Sequence, residues 1–102
     1  MVQLGRFHRT ETGYAGRLET LTLAADLRIE PVAGQTSDRA PDHRIFSGDT
    51  ECGAAWTPEE ETGAVLHVKI DDPAFATPLR GRLVAAREGD DFVLLWRRPP
   101  GD

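Results

Sequence analysis

Cysteine is nearly absent from this chain, with one thiol, Cys52, in 102 residues. A single cysteine excludes an internal disulfide framework, so packing alone must hold the core, and a reducing, cytoplasmic setting is expected. No apolar run approaches the ~18 residues that cross a bilayer as a helix, and residues 1–6 show no charged-then-apolar leader. Neither membrane anchoring nor secretion is therefore expected. Lysine is missing except for Lys69; the other eleven of the twelve basic residues are arginine, which reflects codon usage before it reflects recognition. Aromatics are equally sparse: Phe7, Tyr14, Phe46, Trp56, Phe75, Phe92 and Trp96. A chain of this length hides roughly two-thirds of its unfolded surface, so few of these rings can be spared from packing. Also lacking is any apolar period of 3.6 residues sustained over three turns.

What is present is alternation. Turn residues punctuate the chain at short intervals, and the segments between them read with period two, which predicts a single all-β domain over residues 1–102. The expected form is a small antiparallel barrel or two-sheet sandwich of about seven to eight short strands, with residues 98–102 as a frayed tail. Residues 2–9 form the first strand and residues 14–23 the second, with a bulge near Glu19 and Thr20 where Leu18, Leu21 and Leu23 break the alternation. Residues 26–32 follow, then a polar loop over 33–42, short strands at 43–46 and 52–57, and a charged hairpin tip at 58–63. The clearest strand is 64–71, with Leu66, Val68 and Ile70 on one face and His67 and Lys69 on the other. After the stop at Asp71-Asp72-Pro73, residues 79–85 point Leu79, Leu83 and Ala85 inward and Arg80 and Arg82 outward. Residues 92–96 are apolar on both faces, the pattern of a strand buried on both sides. The expected core includes Leu66, Val68, Ile70, Leu83, Leu94 and Trp96.

Catalytic chemistry finds no foothold in this pattern. Cys52 has Asp49 and Glu51 beside it, and nearby negative charge suppresses a thiolate; with no base close in sequence it reads as a small packing residue. His8, His43 and His67 lie on three separate strands without metal-ligand spacing, so no metal site is expected. Asp71-Asp72 before a proline is turn chemistry rather than a cation site. Gly13 and Gly16 precede no helix, so a phosphate loop cannot form there. No catalytic residue and no small-molecule cofactor is assigned.

One constellation remains. If residues 64–71 and 79–85 pair as a hairpin, His67, Lys69, Arg80 and Arg82 share a face. Such a stripe suits a nucleic-acid backbone, especially with an aromatic nearby. The net charge of −5 argues the other way, and the plainer expectation is that Asp71, Asp91 and the glutamates neutralise these cations across neighbouring strands.

Several motifs, read together, carry a resemblance: Leu4-Gly5-x-Phe7, Tyr14-x-Gly16-Arg17-Leu18-x-Thr20-Leu21, Gly53-Ala54-Ala55-Trp56, Asp71-Asp72-Pro73-x-Phe75-x-x-Pro78, and Leu94-Leu95-Trp96-x-Arg98-Pro99. In this order, over nearly the whole chain, they resemble the domain of unknown function family 736. The resemblance implies a small, largely alphaproteobacterial protein carried on plasmids and integrative elements, with no established activity and no catalytic site to transfer. Cys52 stands where such sequences usually carry a branched aliphatic, which supports packing for the thiol. The tip at 58–62 is more acidic than the Lys/Arg-bearing version, which weakens phosphate contact there.

The reading favoured by the sequence is thus a non-enzymatic binding protein, an accessory of a mobile element, that docks to a protein or to itself. The alternative is single-stranded nucleic-acid binding through His67, Lys69, Arg80 and Arg82.

Overall fold

Alternating segments separated by glycine, proline and acidic turns become eight antiparallel strands. In chain order they are β1 (Val2–Arg9), β2 (Tyr14–Glu19), β3 (Ala24–Pro31), β4 (His43–Ser47), β5 (Thr50–Trp56), β6 (Ala64–Ile70), β7 (Leu79–Ala85) and β8 (Phe92–Trp96). The structure is a computed structural model, and it describes residues 2–34, 39–59 and 63–98. Each strand pairs with its predecessor, and β8 returns to β1, closing the sheet into a barrel. Closure satisfies every strand on both sides, so no open edge remains for another chain to pair with.

Period two now has a physical meaning: one face of each strand fills the barrel and the other meets solvent. Leu66, Val68 and Ile70 of β6, Leu83 of β7 and Leu94 of β8 are buried together with Leu4, Phe7, Leu18, Ile29 and Ile45 from the opposite wall. No charged or polar side chain is buried among the described residues. Three ladders carry a register shift: β1 against β8 at Gln3/Gly5, β4 against β5 at Ile45/Phe46, and β6 against β7 at Ala64/Leu66. Cys52 is the extra residue of the second, since Ile45 pairs with Gly53 and Phe46 with Glu51.

Gly5, Gly16 and Gly53 stand at close strand approaches. A Cβ on Gly53 would fall against the Lys69 carbonyl oxygen of β6, and on Gly5 against that of Arg17 on β2. The Gly53-Ala54-Ala55 run therefore lets β5 lie tightly on this chain's own core, where Ala55 is fully buried.

Four expectations need correction. Trp96 is half-buried, packed against the core rather than inside it, because β8 ends there and the indole sits at the rim of the barrel. β2 stops at Glu19 without the expected bulge. Thr20 closes a turn instead, its N–H donating to the Leu23 carbonyl at 2.8 Å and its hydroxyl accepting the Leu23 N–H at 3.1 Å, which leaves Leu21 fully exposed. β8 is buried on its inner face only: Val93 and Leu95 are half-covered by flanking side chains, because a closed barrel has a single inside. Ala85, at the far end of β7, is exposed. The frayed tail lies outside the described residues except for Arg98, as does the centre of the acidic tip at residues 60–62.

Candidate nucleic-acid interface

The β6–β7 ladder brings the four sequence-selected residues together. His67 stands opposite Arg82 and Lys69 opposite Arg80, and directly opposed residues of antiparallel strands project from the same face. Two residues along a strand advance about 6.8 Å, a step comparable to that between successive phosphates of an extended single strand. Arg82 is in turn opposite Leu95 of β8, and Arg97 follows that strand. His67, Arg80, Arg82, Leu95 and Arg97 line a shallow depression of about 520 Å³.

Charge divides unevenly around the barrel. On the first five strands four of the five arginines have carboxylate partners: Arg6 with Asp91 at 3.0 Å, Arg17 with Asp26 at 2.9 Å, Arg28 with Glu30 at 3.4 Å and Arg44 with Glu51 at 3.5 Å, while Arg9 donates to the Tyr14 hydroxyl at 3.2 Å. Strands β6, β7 and β8 contain no aspartate or glutamate at all. Asp91 and Glu51 are engaged with Arg6 and Arg44, and Asp71 makes no ion pair with Lys69 among the described residues. The neutralisation expected for this face is therefore not found for Lys69 or Arg80, neither of which has an ion-pair partner among the described residues. The acidic total of the chain is carried by the other wall and by the loops.

The remaining candidates behave as local structure. Asp72 holds its turn, its carboxylate accepting the Ala74 N–H at 2.8 Å and its carbonyl the Phe75 N–H at 2.8 Å. Burial, then the charges of Asp72 and Glu51, push the Cys52 thiol above its ordinary pKa. His8, His43 and His67 fall on β1, β4 and β6, and no cluster of three or more His, Cys, Asp or Glu able to hold a metal occurs among the described residues. Asp42 accepts from His43 Nδ1 at 2.7 Å and from the Thr57 N–H at 3.0 Å. Burial pushes its pKa up, but these hydrogen bonds and the attraction of His43 outweigh it, and the net shift is downward.

Sequence reasoning missed a second feature next to the basic face. Where β8 ends, Trp96, Arg97 and Arg98 meet the β6–β7 loop at Phe75 and the β2–β3 turn at Leu23, forming a groove of about 740 Å³. Arg97-Arg98 reads in the sequence as a strand stop; only the loop positions reveal it as a rim.

Fold and surface together define a small closed up-and-down β-barrel with a filled apolar interior and a basic face on the β6–β7 ladder. Residues 3–99 match the family described as protein of unknown function (DUF736), and the chain belongs to that family. Searches of curated proteins and of solved structures returned no match. No helix among the described residues is long and apolar enough to cross a membrane.

Proposed function

We propose that this chain is a non-enzymatic binding protein that holds single-stranded nucleic acid by its phosphate backbone along β6, β7 and β8. The observation that carries this reading is the β6–β7 ladder, which sets Lys69, Arg80, Arg82 and His67 in register on one face of two strands that contain no aspartate or glutamate. Local field rather than net charge governs where a polyanion docks. A small barrel offering a positive track fits a sequence-tolerant backbone binder. An accessory of a DNA-transferring element would meet such a ligand in its ordinary work.

Fluorescence anisotropy with a labelled single-stranded oligonucleotide, over a salt series, tests the reading. Three engaged cations imply a log–log slope of roughly −2, from about −0.7 per phosphate contact. The Arg80→Glu/Arg82→Glu double variant is expected to lose binding while keeping its melting temperature. Absence of binding by the native chain at low salt would overturn the proposal.

A second reading, docking to a protein or to another copy, draws on one observation: Leu21 stands fully exposed at the tip of the β2–β3 turn. With no open strand edge, such docking would use side chains. Sedimentation of the native chain beside Leu21→Ser distinguishes it, since a dimer through this tip dissociates in the variant.

A further inference from the structure

The groove at the end of β8 shares Arg80 and Arg97 with the depression on the basic wall, so the two form one continuous surface. Its walls differ in character from that track. Leu23, Phe75, Leu79 and Trp96 supply apolar and aromatic surface, the three arginines supply the rim, and no acidic residue lines it among the described residues. Arg98 places its guanidinium carbon 5.2 Å from the Trp96 ring centroid. A planar, delocalised cation covers that indole face, so a flat group of the same shape fits there once Arg98 swings away.

We propose that this groove is a base subsite, taking one unstacked nucleobase of a single strand whose backbone runs along β6–β8. The inference rests on the polyanion reading above and adds to it a reason for preferring single strands. Every base has a π-face, so stacking on Trp96 or Phe75 tolerates any sequence. A base within a duplex is stacked and paired and cannot enter without being extruded, so duplex of equal charge gains nothing from the groove. The volume lies in the range that encloses a small planar ligand. When the base enters, Arg98 moves from the indole face to the adjoining phosphate, exchanging a cation–π contact for a charge-assisted hydrogen bond. Arg80 and Arg97, common to both surfaces, hold the phosphates on either side of the turn from track to groove.

The test compares three probes on the native chain at low salt: an oligothymidylate, an abasic deoxyribose-phosphate strand of the same length, and a duplex. The intact strand is expected to bind about 5- to 150-fold more tightly than the abasic one, the range for one stacked base, and to quench tryptophan emission. The Trp56→Phe variant assigns the quenching to Trp96, because Trp56 ends β5 at the opposite end of the barrel. Affinities measured on the native chain need no variant to fold. If the abasic strand binds as tightly as the intact one and emission is unchanged, the base subsite is refuted while the backbone track stands. If the intact strand quenches but binds no better than duplex, the proposed single-strand preference is refuted. If no probe binds, both readings fall.

Discussion

Replacing Gly53 by alanine adds one methyl group and sets it against backbone. Gly53 lies on β5 between Ile45 of β4 and Ile70 of β6, and its new Cβ would meet the Lys69 carbonyl oxygen and the Ile70 Cα, 3.1 Å away. Neither is the end of a flexible side chain. β6 is itself held by β7 on its other side, so the strand can retreat only by straining two ladders. Overpacking of this kind costs about 1–3 kcal/mol, and rigid backbone on both sides places Gly53→Ala near the upper figure. For a domain of this size that is a melting-temperature fall of roughly 12–24 °C, at about 4–8 °C per kcal/mol. Gly48→Ala supplies the contrast. Gly48 turns the β4–β5 hairpin at a φ of 60°, with nothing within 4 Å of an added Cβ. Its cost is the left-handed backbone alone, about 1–2 kcal/mol. From backbone dihedrals alone Gly48 would be the sensitive position; in the barrel it is Gly53. Thermal and urea unfolding of the two variants decide the matter. A Gly53→Ala protein within 0.5 kcal/mol of the native chain, about the noise of a surface substitution, or more stable than Gly48→Ala, would refute the close-packing account of β5 and β6.

Leu83→Ala, at a fully buried site, is expected to cost about 2–5 kcal/mol, more than Trp96→Ala at the half-buried rim; equal losses in urea unfolding would return Trp96 to the core. Cys52, half-buried with its thiolate disfavoured by burial and by Asp72 and Glu51, should react with a maleimide far more slowly in the native chain than in urea. Labelling at equal rates would contradict that environment. Asp42 has a folded pKa below its unfolded one, so its contribution to stability is complete above about pH 4, near the unfolded aspartate value, and is lost as the pH falls through the folded value. Asp42→Asn should therefore flatten the acid limb of stability below about pH 4, and an unchanged limb would show that the Asp42–His43–Thr57 contacts are not held in solution.

Alternation made most of the fold legible. Leu66, Val68 and Ile70 against His67 and Lys69 is a pattern that only a half-buried strand explains, and the pairing of that strand with the next put Arg80 and Arg82 on the same face. Where alternation was ambiguous the reading slipped. Leu18, Leu21 and Leu23 suggested a bulged strand, but the Thr20 hydroxyl bonds locally to Leu23 and ends β2, a competition between side chain and ladder that hydropathy does not register.

The sequence by itself determined which residues turn inward, where the turns fall, and that β6 and β7 carry cations without a single acid, because each of these is a property of neighbours along the chain. Tertiary structure alone decided that β8 closes on β1, that Trp96 lies at the rim, and that Asp91 reaches Arg6, 85 residues away in the chain. Those outcomes depend on partners far apart in the chain. Hydrophobic burial selects the inner face locally, but barrel closure, shear and the choice among carboxylates are settled only when all eight strands pack around one interior.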